Sequence, residues 1–305
     1  MPFRARFDCL WCGRAHRTQS TDDLEGWAAL CPDCIGRAGE NGFLRARLRA
    51  ALVERGSSTT DRPGPSARPA IGPTHQPTTA EVDAEMKAYY AARAPEYDDV
   101  YLHRGQASSG PVLDLWFDRE IDELATWLDG VPITGDIVEL AAGTGWWSPL
   151  LADKGELSIY DINPEPLEIA RQRLVAHRLR AHIHVRDAWA EPDRQVDAVF
   201  CGFWLSHVPR WRLDEFLGLV QRWLKRSGRF LFLDERARSG RDGADEAFDP
   251  ATETSLRRLQ DGREFRIPKV YYGAGQLRDG LIRAGFATAD VRETERFFLM
   301  GAAQL

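Results

Sequence analysis

Val138-Glu139-Leu140-Ala141-Ala142-Gly143-Thr144-Gly145 decides how this 305-residue chain is read. The run 136–140 reads as a buried strand, two glycines follow, and Trp146–Lys154 reads as a helix. Open α/β sheets take ligands at such a crossing, beyond the carboxyl ends of their strands. Glycine there lets the backbone approach a bound molecule with no Cβ in the way. A second strand, 157–161, ends on Asp161, 16 residues past Gly145. A carboxylate so placed can accept hydrogen bonds from both hydroxyls of a ribose.

Outward from this stretch, strands and helices alternate. Helices are expected at 164–177, 212–225 and 276–284, and strands at 182–186, 196–201, 229–233, 288–292 and 297–302. Alternation of this kind implies a parallel sheet covered by helices on both faces. Upstream, Met86, Tyr89, Tyr90 and Arg93 suit a helix that ends before Pro95. A second helix covers 111–129, with Leu113, Trp116, Phe117, Ile121, Leu124 and Leu128 on one face. The polar, glycine-containing stretch from Asp234 to about Lys269 is left as a connection without strands.

Two nucleotide cofactors compete for the glycine loop. Dinucleotide binding wants G-x-G-x-x-G, but the third position here is Ser148, and Trp146 and Trp147 crowd the helix start. Glu139 brings negative charge, unfavourable beside a pyrophosphate and reasonable beside the sulfonium and ammonium of S-adenosylmethionine. With these residues the chain from 80 to 305 resembles class I methyltransferases. Glu139–Gly145 is similar to their first motif, and Asp161 to their ribose-binding acid. Asp187 is similar to the acid near adenine, and Phe200-Cys201-Gly202-Phe203 to the segment that lines the methyl-transfer site.

The resemblance implies a Rossmann-like α/β fold, a seven-stranded, mostly parallel sheet whose last strand is antiparallel. It implies cofactor contacts from Tyr90, Glu139, Ala141, Gly143, Gly145, Asp161, Ile162, Asp187, Ala188 and Gly202. Three further segments resemble a bacterial subgroup that O-methylates phosphonates and other small acids: Tyr90 to Asp98, Phe203 to Pro209 and Phe265 to Val270.

Methyl transfer asks chiefly for an acceptor lone pair held opposite the sulfur and for exclusion of water. An ionised acid needs no general base, whereas a hydroxyl or amine does. His207 and Lys269 are the catalytic candidates, one as base or donor, the other as an anion holder. Tyr97, Tyr101, Arg104, Trp204 and Arg266 are candidates for the acceptor side, the tyrosines also as a lid. Cys201 reads as a small buried residue.

The N-terminal region is of another kind. Four of the five cysteines form Cys9-x2-Cys12 and, 18 residues on, Cys31-x2-Cys34. That spacing points to a structural zinc in a ribbon-like module, since four thiolates leave no open coordination position. Residues 43–55 read as an amphipathic helix carrying Arg45, Arg47 and Arg49. Nine arginines against seven acids in residues 1–55, plus a zinc held by four thiolates, leave the module near neutral. With the whole chain at −6, nucleic acid is disfavoured as a partner. The expected organisation is a zinc module over 1–55, a Pro/Ser/Thr-rich linker over 56–79 and the catalytic domain over 80–305. No membrane span or signal core is legible, so a cytoplasmic enzyme is expected. A small-molecule acceptor is expected, with a peptide docked by the zinc module, or tRNA or DNA, as alternatives.

Overall fold

The computed structural model describes residues 7–8, 15–16, 79–236 and 248–305. The chain divides into two compact units. One comprises Met1–Gln76, His103–Phe117 and Ser239–Ala244, the other Pro77–Leu102, Asp118–Arg238 and Asp245–Leu305. In the first, β1 (Phe7–Asp8) pairs antiparallel with β2 (Ala15–His16). The carboxylate of Asp114 there accepts hydrogen bonds from Ser108 Oγ at 2.6 Å and the Ser109 amide at 2.8 Å. Cys9, Cys12, Cys31 and Cys34, the helix expected over 43–55 and the linker up to residue 78 lie outside the described residues.

The second unit is built on a seven-stranded sheet. Its strands are β3 (Asp136–Leu140), β4 (Glu156–Asp161), β5 (His182–Val185), β6 (Val196–Gly202), β7 (Leu224–Glu235), β11 (Thr288–Glu293) and β12 (Phe298–Gln304). Their order is β11-β12-β7-β6-β3-β4-β5. From β5 to β7 neighbours run parallel, and β12 lies antiparallel between β7 and β11. The chain moves outward from β3 through β4 and β5, then returns to the other side of β3 with β6. The crevice between the β3 and β6 ends is therefore a topological switch point. This is the Rossmann-like, mostly parallel seven-stranded arrangement that the resemblance implies, with the antiparallel last strand.

The helices are α1 (Thr79–Arg93), α2 (Asp99–Leu102), α3 (Pro111–Gly130), α4 (Ser148–Ala152), α5 (Pro164–Ala176), α6 (Leu213–Trp223) and α7 (Ala274–Ala284). Helix α6 shows why they form. Leu213, Phe216, Leu217, Val220 and Trp223 recur at spacings of three and four and are all buried. They join Val199, Cys201, Phe230 and Phe232 of β6 and β7 in the main core. Cys201 is fully buried, in keeping with a packing role. Among the described residues, no helix is long and apolar enough to cross a membrane.

One expectation is overturned. The stretch after Asp234 is not strandless: β8 (Phe248–Asp249), β9 (Thr254–Arg258) and β10 (Glu264–Pro268) form a small antiparallel sheet. Its stability comes from α1, because Leu259 and Ile267 bury themselves against Tyr89, with Met86, Tyr90 and Phe265 around them. The amide of Arg266 also donates to Glu85 of α1 at 2.5 Å. Strand β7 is likewise longer than expected, starting at Leu224 directly after α6.

Candidate active site

A cleft opens at the switch point. Its floor comes from the carboxyl ends of four neighbouring strands: Ala141 and Gly143 after β3, Asp161 to Asn163 after β4, Asp187 to Trp189 after β5, and Gly202 to Trp204 after β6. Helix α1 and the turn after it form the opposite wall with Asp83, Met86, Lys87, Tyr90, Ala94 and Tyr97, and His207 closes one end.

The glycine loop is held in a conformation that most residues avoid. Ala141, Gly143 and Gly145 all have positive φ, at 52°, 55° and 67°. A Cβ on Gly143 would meet nothing within 4 Å, so its backbone faces open space. A Cβ on Gly145 would lie 2.7 Å from the Cβ of Ala170, so this glycine allows the loop to sit against α5. After β6, Phe203 also takes a positive φ of 58°. Two non-glycine residues in this sparsely populated region, both lining one cleft, mark a place where packing overrides backbone preference.

Asp161 is the electrostatic centre of the floor. One of its oxygens accepts the Gly143 amide at 2.9 Å and the other the Asn163 amide at 2.9 Å. Burial nonetheless pushes its carboxyl up to about 6. Each oxygen keeps a lone pair for a further donor. Asp187 accepts the Trp189 amide at 2.9 Å on one oxygen. With Ile162, Ala188 and Trp189 beside it, an apolar slot with a carboxylate at its edge follows. Two backbone-anchored carboxylates, an open glycine cradle and an apolar slot fit the hydroxyls and flat base of a nucleoside.

At the other end, His207 is buried between two partners. Its Nδ1 lies 2.8 Å from the carbonyl oxygen of Pro268, and its Nε2 lies 2.6 Å from the hydroxyl of Tyr90. A carbonyl can only accept, so Nδ1 carries the proton and Nε2 accepts from Tyr90. Burial, then the charge of Lys269, push the imidazole down to about 3. Arg257 of β9 adds to that push. Burial also raises the Tyr90 hydroxyl well above its ordinary value, so it stays protonated.

The candidates from sequence therefore divide. Tyr90, Tyr97, Ala141, Gly143, Asp161, Ile162, Asp187, Ala188, Gly202, Trp204 and His207 all line the cleft. Glu139 does not: it is buried beneath the loop and accepts from Ser148 Oγ at 2.5 Å, and burial pushes it up to about 8. Gly145 packs behind the lining rather than within it. Lys269 is buried, with Glu235 at 2.7 Å and Ser206 Oγ at 3.2 Å. Arg266 turns to Thr254 Oγ1 at 3.3 Å. Tyr101 stacks on Trp146 at 4.1 Å, and exposed Arg104 belongs to the other unit. Sequence reasoning passed over Asp83, Met86 and Lys87, although with Tyr90 they follow the three-and-four spacing of one helix face. Asn163 and Trp189, each next to a residue that was singled out, also line the cleft, as does Phe203 of the segment expected to line the methyl-transfer site.

Comparison with known proteins shows what the chain is similar to. Residues 137–228 match the family described as a methyltransferase domain. That stretch of the chain is similar to methyltransferase domains. A ubiquinone/menaquinone biosynthesis C-methyltransferase, UbiE of Rhodopseudomonas palustris (strain BisB5), is 34% identical over 134 residues, 41% of this chain and 51% of that protein. The chain thus spans about half the length of the curated relatives it matches. Among solved structures, a DhpI–SAM–HEP complex superposes with a TM-score of 0.62 at 28% identity, covering 75% of this chain and all of that one. A DhpI–SAH complex gives 0.60 at 29%, covering 74% of this chain and 98% of that one. These two structures share the fold of this chain's second unit. Among the described residues no group of side chains is arranged to hold a metal.

Proposed function

We propose that this chain transfers a methyl group from S-adenosylmethionine to an oxygen of a small acidic molecule. One observation supports this above the rest: the imidazole of His207 has both nitrogens engaged and stays neutral in a positive field. It is therefore a poor base, and the field favours an acceptor that arrives already ionised. Lys269 and Arg257 both contribute to that field. Arg93, packed over the rings of Tyr89 and Tyr97 at 5.5 and 5.1 Å, adds a third cation nearby. Glu235 pairs with Lys269 at 2.7 Å.

Bound S-adenosylmethionine supplies a methyl group made electrophilic by positive sulfur. The chain's residues bind, orient and shield. Asp161 would take the ribose hydroxyls, Asp187 and Ala188 would face the adenine, and the Gly143 backbone would lie along the remainder. His207 holds the Tyr90 hydroxyl so that its proton points at Nε2 and its oxygen lone pairs face the cleft. Such an oxygen can accept a hydrogen bond from a hydroxyl on the acceptor. The aromatic wall of Tyr90, Tyr97, Phe203 and Trp204 excludes water. DhpI, described in complex with both SAM and HEP, is in keeping with a second small molecule beside the cofactor.

We further propose the organisation 1–55, 56–79 and 80–305, with Cys9, Cys12, Cys31 and Cys34 holding a structural zinc.

The test is incubation of the purified chain with methyl-labelled S-adenosylmethionine and a metabolite extract, followed by mass spectrometry. A gain of one methyl on an acidic small molecule, bound to oxygen, is expected. Label confined to carbon, peptide or RNA would overturn the acceptor assignment.

A further inference from the structure

The glycine loop continues into Thr144 and Trp146, residues that the cleft lining leaves unused. Both are engaged by the segment that follows α1. Thr144, almost fully buried, donates its hydroxyl to Asp98 at 2.6 Å. The second oxygen of Asp98 accepts from Arg173 Nη2 of α5, and Arg173 Nε donates to the Thr144 carbonyl at 3.1 Å. Three residues after Asp98, Tyr101 stacks face to face on Trp146, with ring centroids 4.1 Å apart and planes 8° from parallel. The Arg173 guanidinium lies 4.8 Å from the centre of the same ring. Trp146 thus touches both α5 and the α1–α2 segment.

Helix α1 itself is tied down near the loops after β4 and β5. Asn163, next but one to Asp161, donates its side-chain amide to the Lys87 carbonyl at 3.1 Å. Arg212 lies 3.8 Å from Asp83 and 3.6 Å from the ring centre of Trp189. The α1 wall is therefore fastened to the loops after β3, β4 and β5, and one side chain, Asp98, reaches into the glycine loop itself.

We propose that Asp98 is a positioning residue that holds the Gly143–Gly145 loop closed beneath the α1–α2 wall and so sets how fast the nucleoside cofactor leaves. The proposal rests on the cleft being the cofactor site. Thr144 sits between two positive-φ glycines, and backbone bonds from Gly143 to Asp161 and from Gly145 to Ala142 hold the loop on its strand side. The Asp98 carboxylate supplies restraint from the wall side, through a charge-assisted pair of bonds. Opening the wall breaks both Asp98 bonds together and removes the restraint on the loop's wall side.

The experiment uses the full chain and S-adenosylhomocysteine. Release rates are measured by stopped-flow displacement for wild type, Asp98→Ala, Asp98→Asn and Thr144→Val, with hydrogen exchange of the ligand-free proteins alongside. Asp98→Ala should release the ligand at least about tenfold faster. Asp98→Asn, which keeps an acceptor for Thr144 but loses the charge facing Arg173, should fall between. Thr144→Val combined with Asp98→Ala should be no faster than Asp98→Ala alone. Exchange in 141–147 should rise while exchange in 298–304 stays unchanged. Release and loop exchange unaltered in Asp98→Ala, or exchange raised equally in every segment, would overturn the proposal. Failure of the wild type to bind S-adenosylhomocysteine would instead overturn the cofactor assignment and remove the ground for the latch.

Discussion

Replacing Glu139 by glutamine should stabilise this protein at neutral pH, although Glu139 lies in the motif that defines the fold. Its side chain is 2% exposed and its carboxyl is pushed up from 4.5 to about 8 by burial. The Ser148 hydrogen bond opposes that shift and nearby Asp161 adds to it. Between the two values the native chain holds a proton that the unfolded chain has released. Stability from this site is therefore complete below the unfolded value and declines as pH rises through the window up to about 8. At about 1.4 kcal/mol per pH unit, the unfolded state gains about 3 kcal/mol by pH 7. Glutamine cannot ionise, keeps the volume, and can accept from Ser148. Glu139→Gln should match the wild type near pH 4 and exceed it by about 3 kcal/mol at pH 7. Urea denaturation from pH 4.5 to 8.5 measures both slopes. Because Glu139 does not line the cleft, S-adenosylhomocysteine affinity should change less than about threefold, under about 0.7 kcal/mol. Equal pH slopes for the two proteins, or a glutamine variant less stable at pH 7, would show that Glu139 is ionised in the fold.

Other tests probe the site directly. Asp161→Ala should weaken S-adenosylhomocysteine binding by about 10- to 100-fold by calorimetry, one or two hydrogen bonds to a charged group being lost. With the Asp161 carboxyl pushed up to about 6, wild-type affinity should rise between pH 5 and 7.5 as the carboxylate ionises; equal affinities at the two ends would contradict the ribose role. With His207 pushed down to about 3, kcat/KM on an ionised acceptor should show no limb between pH 6 and 8. A limb near 6.5 that His207→Gln abolishes would restore histidine as the base. Gly145→Ala brings a Cβ to 2.7 Å from Ala170 at a φ of 67°, and should cost about 1–3 kcal/mol, read as a lowered Tm. Elemental analysis should find one zinc per chain, lost in Cys9→Ser/Cys12→Ser; a metal-free wild type would remove the zinc proposal.

The catalytic architecture was legible because its signals are local. A strand of five residues, two glycines and a helix start within one short stretch, and Asp161 follows at the end of the next strand. Helical periodicity placed α1 and its end before Pro95 with little error. The small sheet β8–β10 had a weaker signal that went unread. Asp261-Gly262 is a hairpin pair, Gly262 has a φ of 88°, and Phe265 and Ile267 alternate beside it. Those strands are short and polar on one face, and their stability comes from α1, far away in the chain.

By itself the sequence determined the sheet, the switch-point loop and the carboxylates at the strand ends, since periodicity, glycine and spacing act over a few residues. The tertiary structure alone decided what the charged groups can do. Lys269 faces Glu235, and His207 is neutral between Tyr90 and the Pro268 carbonyl. Glu139 is turned to Ser148, and Asp98 reaches across to Thr144 and Arg173. Charge state follows from burial and from partners that are mostly tens of residues distant, and neither is written in the local pattern.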